Sequence, residues 1–325
     1  MCTAISYQTK DHYFGRNLDL EISFGESVVV TPRHYHWHFR EAADRDDSYA
    51  IIGMATVEEG MPLYYDGTNE KGLSMAGLNF AGNAHYFSQA EAGKNGIASF
   101  EMIPWVLGQC ADLDEAKACI ENLTVLDTRF NDRLPVSTLH WLVADPSGAF
   151  VVESVADGLH IYDDPVGALT NNPPFPTQLF GLNNYRQLTA GVPENHFAKG
   201  LDLDLYSRGM GAIGLPGDLS SASRFAKVVF TKLNSKCGSR EEESVSQFFH
   251  ILGSVEQQRG CCDLGNDQYE YTIYSSCCNT DTGVYYYKTY DNSRITKVDM
   301  HREDLDGDKW QSYPLLMGED IQAQN

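Results

Sequence analysis

Cys2 stands directly behind Met1 in the opening Met1-Cys2-Thr3-Ala4-Ile5. A small residue at position two permits an aminopeptidase to remove Met1. Cys2 would then carry a free α-amine beside its thiol. The thiol is a nucleophile, and the amine, with an ordinary pKa of about 7.7–8.0, is a base. Such a residue is a self-contained catalytic unit and calls for no cofactor. A thiol of ordinary pKa about 8.5 needs only modest activation by a nearby cation.

Gly15-Arg16-Asn17-Leu18-Asp19 supplies that cation and a carboxylate. It lies on the second strand of a hairpin that starts with Cys2. Arg16 and Asp19 are therefore expected near the hairpin end opposite its turn, where Cys2 begins. Arg16 would activate the thiol and Asp19 would hold the α-amine. Amide cleavage also needs donors aimed at the developing oxyanion. Asn79 in Ala76-Gly77-Leu78-Asn79-Phe80 and Asn171 in Leu169-Thr170-Asn171-Asn172-Pro173 end apolar strands, where they can face a cleft.

Two other chemistries compete. His34, His36 and His38 alternate, so a strand would align them as a metal site requires. No carboxylate or cysteine is obviously poised to finish that site, the segment follows Pro32, and no metal is expected. A papain-like pair such as Cys119 with His140 lacks an activating Gly-rich turn. The vicinal pairs Cys261-Cys262 and Cys277-Cys278 lack the C-x-x-C spacing of zinc knuckles. Reduced thiols are expected throughout.

The elements that must position these residues are mainly hairpins. Strands are predicted at Thr3–Thr9, Tyr13–Asp19, Ser27–Thr31, Tyr49–Thr56, Gly72–Asn79, Ser137–Ala144, Ala149–Ser154, Gly158–Tyr162, Tyr269–Ser276 and Gly283–Tyr290. Helices are predicted at Phe100–Cys110, Leu113–Leu123 (Asp112 as N-cap, Glu115 near a capping box), Thr177–Thr189, Arg224–Asn234 and Glu241–Gln258. Hairpins outnumber βαβ crossovers. An α+β fold of antiparallel sheets between helix layers, a four-layer αββα sandwich, fits this order. With no linker or repeat, residues 1–325 read as one domain, with a Gly- and Pro-punctuated excursion at 190–217.

Composition narrows the partners. The 325 residues carry 24 Lys plus Arg against 45 Asp plus Glu, a net charge of −21. No basic run exists, which excludes a nucleic-acid binder and disfavours an anionic membrane surface. The longest apolar stretches are strand-sized, too short to span a bilayer. The N-terminal residues lack the pattern of a secretory signal, so a cytoplasmic protein is expected.

Eight blocks occur in order: Met1-Cys2-Thr3, Phe14-Gly15-Arg16-Asn17-Leu18-Asp19, Asn69-Glu70-Lys71-Gly72-Leu73, Gly77-Leu78-Asn79-Phe80, Leu139-His140-Trp141, Leu169-Thr170-Asn171, Gly214-Leu215-Pro216-Gly217-Asp218 and Ala222-Ser223-Arg224-Phe225. The set resembles the choloylglycine hydrolase family over essentially the whole chain, on its bile salt hydrolase side. The resemblance implies an N-terminal-nucleophile (Ntn) hydrolase with Cys2 as nucleophile, Arg16 steering the thiol and Asp19 holding the amine. It assigns the oxyanion hole to the Asn79 N–H and the Asn171 side-chain amide, with Arg224 completing the polar group. The implied substrates are glycine- or taurine-conjugated bile salts, cleaved through a thioester.

Penicillin V acylases are siblings in this family, some with Tyr in place of Asn79, so that activity, or hydrolysis of a related N-acyl amide, is the alternative. Leu18, Phe24, Tyr65, Phe130 and Leu134 are the apolar candidates to hold a steroid. Glu58 and Glu59 occupy a loop where relatives often carry an apolar residue. Segment 190–217 resembles the one through which family members form homotetramers.

Overall fold

The opening hairpin forms as its alternation predicts. Cys2–Gln8 pairs antiparallel with His12–Leu20, placing Cys2 opposite Leu18 and Ala4 opposite Arg16. The computed structural model describes all 325 residues. This hairpin lies inside a six-stranded sheet. The order is Ala168–Leu169, Cys2–Gln8, His12–Leu20, Tyr271–Asn279, Val284–Thr289, Asn292–Asp299. An eight-stranded sheet runs Gly158–Asp163, Gly148–Val155, Leu139–Asp145, Ser74–Asn79, Met61–Asn69, Ile51–Glu58, Ser27–Thr31, Gln311–Pro314. Every pairing within both sheets is antiparallel.

The hairpin's side chains show how the layers stack. Asn17 donates to the Leu252 carbonyl at 3.0 Å, and Tyr7 meets Phe248 edge to face. Both partners lie on the helix Glu241–Gly253, so odd-numbered residues face helices. Arg16 donates to the Tyr65 and Gly77 carbonyls of the other sheet, so even-numbered residues face it. Covering both faces explains why the hairpin is buried nearly throughout. Helices Ser221–Asn234 and Glu241–Gly253 cover the six-stranded sheet, and Met102–Leu107 and Leu113–Glu121 cover the other. The αββα sandwich is thus the fold.

Several elements differ from expectation. The helix predicted over 177–189 is Phe175–Gly181 followed by a 3-10 turn, Leu182–Tyr185. The last helix stops at Gly253, five residues early, so that the Gln257 carbonyl can accept the Thr272 N–H at 3.1 Å and the Gln257 N–H can donate to the Thr272 hydroxyl at 2.9 Å. Strand Met61–Asn69 was not predicted, because Pro62, Asp66 and Gly67 interrupt its apolar pattern. Asn292–Asp299 escaped because it is a polar edge strand. The Asp112 cap holds: its carboxylate accepts the Glu115 N–H at 3.0 Å. All eight cysteines are free thiols. Segment 190–217 holds one short 3-10 turn and exposes Val192, Phe197 and Tyr206.

His12, at the start of the second strand, is buried between the Ser6 and Thr280 hydroxyls at 2.8 Å each. Burial is the main cause that lowers its pKa from 6.5 to about 4, against Asp281 and Asp145. The native state holds it neutral while the unfolded chain protonates. Its stabilisation is complete above pH 6.5 and is lost as pH falls toward 4, by up to about 3 kcal/mol. Asp164 works in the opposite direction, since burial raises its carboxyl to about 6. Urea unfolding from pH 4 to 7 is therefore expected to give a flatter acid limb for His12→Gln than for the parent. Parallel curves would refute this assignment.

Candidate active site

The register places Asn171 beside Cys2. Ala168–Leu169 pairs with Cys2–Gln8 through Ala4 opposite Leu169, so two residues further on Asn171 comes level with Cys2. The Cys2 N–H donates to Asn171 Oδ1 at 2.7 Å. Arg224, in the first turn of Ser221–Asn234, donates to the same Oδ1 at 2.8 Å. It also donates to the Cys2 carbonyl and the Thr3 hydroxyl, both at 2.6 Å. With two donors fixing Oδ1, the Asn171 Nδ2 is turned toward the Asn79 carbonyl, which accepts from it at 2.7 Å. One Nδ2–H remains.

Asn79 ends the strand Ser74–Asn79. It pairs with Leu139, while the next residue, Phe80, donates to Thr138. The Asn79–Leu139 pair is therefore the kind without ladder bonds between its members, and the Asn79 N–H points away from that neighbour. The pairing with Met61–Asn69 has ended by Ala76, so no strand takes the N–H on the other side. The Asn79 N–H and C=O thus share an edge, and Asn171 already occupies the carbonyl.

Arg16 and Asp19 lie on opposite faces of the sheet, as their odd separation requires. Arg16 is fully buried between the sheets. One terminal nitrogen donates to Tyr65 and Gly77 carbonyls at 3.0 and 2.5 Å, and the other has no partner. Burial opposes its charge, but Cys2, Tyr274, Asp66 and Asp19 outweigh burial and hold it protonated. Asp66 itself accepts from the Tyr274 and Tyr285 hydroxyls at 2.8 and 2.6 Å.

Asp19 lies on the helix face, where it accepts from Thr272 Oγ1 at 2.6 Å and sits 3.8 Å from Arg224. Burial pushes its carboxyl up, against Arg224, the chain's α-ammonium and Thr272. Met1 extends the strand: its N–H₃ donates to the Asp19 carbonyl at 2.6 Å and pairs with Glu270, and its carbonyl accepts the Asp19 N–H at 2.9 Å. Burial lowers that amine's pKa, with Cys2 and Asp19 opposing.

Beside Arg16's two carbonyl acceptors opens a cleft of about 530 Å³. Phe24, Leu63, Tyr65, Phe100, Phe130 and Leu134 give it apolar walls, and Gly77 reaches its floor. Glu58 and Arg133 form an ion pair on its rim. Glu59 accepts from Asn131 at 3.0 Å and meets Arg40 at 3.4 Å.

Residues 2–313 match the model of linear amide C–N hydrolases, choloylglycine hydrolase family. The chain belongs to this family. It is 57% identical over 315 residues to a bile salt hydrolase/transferase of Lactiplantibacillus plantarum, covering 97% of each chain. The solved structure of a variant conjugated bile acid hydrolase from Clostridium perfringens superposes with TM-score 0.92 at 35% identity, each chain covered in full. A penicillin V acylase from Agrobacterium tumefaciens shares the fold at TM-score 0.76 and 18% identity, over 96% of this chain and 90% of its own.

Within this choloylglycine hydrolase family chain, the six residues named from sequence fall into one buried group around Cys2, apart from Asn79, which is exposed at its edge. Phe24, Tyr65, Phe130 and Leu134 share the cleft. Leu18 does not line it: its even position turns the side chain between the two sheets, where it is buried in the core. Cys119 and His140 do not form a pair. The His140 ring nitrogens are taken by the Thr170 carbonyl at 2.8 Å and Glu153 at 3.1 Å.

Sequence reasoning missed the residues that hold Asn171 and Asp19 in place. Ser221 accepts the Asn171 N–H at 2.8 Å, Gln178 donates to the Asn171 carbonyl at 2.5 Å, and Thr272 anchors Asp19. None of these is marked in the sequence: the predicted helix begins at Arg224, whereas the observed one opens three residues earlier, at Ser221.

Proposed function

We propose that this protein hydrolyses the amide bond of glycine- and taurine-conjugated bile salts, with Cys2 as nucleophile after removal of Met1. One observation carries the reading: Asn171 joins the Cys2 nitrogen to the Asn79 edge, so nucleophile, base and oxyanion donors share one side chain.

In that reading Met1 removal turns the Cys2 amide into an amine that keeps Asn171 Oδ1 as its partner. The amine takes the thiol proton, and the sulfur attacks the substrate carbonyl. The Asn79 N–H and the spare Asn171 Nδ2–H receive the oxyanion. The unpartnered Arg16 nitrogen supplies positive charge beside the sulfur. Asp19 and Arg224 hold the amine end of Cys2. The C–N bond breaks and the departing amino acid takes the proton from the Cys2 ammonium. Water, deprotonated by the same amine, then cleaves the thioester and returns the thiol. The name of the Lactiplantibacillus plantarum relative includes transferase, and an amine in place of water at this last step would give transfer.

The cleft supports a steroid-sized apolar acyl group, since binding sites of this kind run to roughly 300–1,000 Å³. Each Å² of apolar surface buried there contributes about 25 cal/mol. The reading also takes residues 1–325 as one cytoplasmic Ntn domain that forms a homotetramer through 190–217. The apolar side chains exposed on that segment support assembly. No helix is long and apolar enough to cross a membrane.

Purified, processed protein is expected to release glycine and taurine from their conjugates faster than it cleaves penicillin V. Phe130→Ala is expected to raise KM for the conjugates about tenfold with little change in kcat, as loss of uniform binding does. Faster cleavage of penicillin V would overturn the substrate assignment.

A further inference from the structure

The histidines set aside in the sequence have carboxylate partners in the fold. Trp37 and Arg45 form an isolated antiparallel bridge, with N–H···O bonds of 2.8 and 3.0 Å in both directions. The flanking positions, 36 with 46 and 38 with 44, are then the closely spaced pairs of this short ladder. Period two sends Trp37 and Phe39 inward, where they are 0% and 4% exposed, and turns His36 and His38 to solvent. Opposite them stand Asp46 and Asp44. His36 Nδ1 lies 2.5 Å from Asp46 Oδ1, and His38 Nδ1 lies 2.9 Å from Asp44 Oδ2. Asp44 Oδ2 is also 3.7 Å from His36 Nε2. One donor atom from each of His36, His38 and Asp44 lies within 4.8 Å of the others. His34 sits in the preceding turn and takes no part.

We infer that His36, His38 and Asp44 form a surface site for a divalent transition-metal ion, with Asp46 or water completing it. Imidazole nitrogens with a carboxylate suit Zn²⁺, Ni²⁺ or Cu²⁺ rather than Ca²⁺ or Mg²⁺, which prefer all-oxygen sets. The buried Trp37, stacked on Phe39 at 5.8 Å, fixes the backbone, so the ligands need only side-chain rotation to close on an ion. The segment runs on into Arg40, whose guanidinium lies 5.0 Å over Phe130 of the cleft wall. A bound ion would therefore fasten the chain behind that wall.

Calorimetric titration of the untagged full chain with NiCl₂ tests this, in a Cys2→Ala background that removes the catalytic thiol as a ligand. One equivalent is expected to bind. Affinity should fall by about tenfold or more in His36→Ala/His38→Ala and stay unchanged in His34→Ala. Thermal melting should rise with Ni²⁺ in the parent and not in the double variant. An unchanged isotherm in the double variant assigns the ion to remaining thiols and overturns the site. Equal binding of CaCl₂ overturns the metal class.

Discussion

Cys2→Ala is expected to abolish amide hydrolysis, by on the order of 10⁴-fold or more, while leaving the fold and the cleft intact. Cys2 is buried, so the loss of one sulfur atom creates only a small cavity. The backbone bonds that fix its position, to Asn171 and Arg224, use the Cys2 nitrogen and carbonyl and survive the change. The variant should thus bind conjugated bile salt with near-parental affinity in calorimetry. Turnover within tenfold of the parent would remove Cys2 from the mechanism. Weak binding together with normal melting would instead mean that the thiol contributes to substrate capture. Intact mass accompanies the assay. A chain that keeps Met1 has an amide where the base should be, so its activity should scale with the processed fraction.

Asn171 is expected to give the second largest effect. Asn171→Ala should lower kcat by about 10²–10³-fold with a smaller change in KM, the cost of removing one oxyanion donor. It also strips a partner from Arg224, a buried cation, so the melting temperature should fall. Asn171→Asp separates the two roles. The carboxylate keeps an acceptor for Arg224 and for the Cys2 nitrogen, but sets an oxygen where Nδ2 met the Asn79 carbonyl. If Asn171 serves the oxyanion, Asn171→Asp recovers stability and loses at least as much kcat as Asn171→Ala. Recovery of kcat along with stability would reduce Asn171 to scaffolding.

Much of this site was legible because it is local or strand-periodic. The hairpin, its position at Cys2 and the gathering of Arg16 and Asp19 near its open end follow from alternation and one turn. Their separation onto opposite faces also follows from counting three residues. What the counting could not supply is what covers each face, namely the second sheet over Arg16 and Arg224 over Asp19. Asn171 is legible as the polar end of an apolar strand, but Ser221 and Gln178 hold it from other elements. Asp66 interrupts a strand pattern in sequence and in space satisfies two tyrosine hydroxyls beside Arg16. The carboxylates opposite His36 and His38 went unseen because the bridge at Trp37 and Arg45 closes a loop with no glycine in it.

The two-faced hairpin limits how this chain can drift over generations. The Thr9–Asp11 turn is a natural place for a residue to be gained or lost. A single insertion or deletion there that shifted the pairing register would turn His12–Leu20 over against its neighbours. Arg16 would then meet the helices, and Asp19 would be carried between the sheets, far from Arg224. Length changes in this turn can therefore persist only where the loop itself absorbs them, and a one-residue change that passes into the strand register should be rare among active descendants.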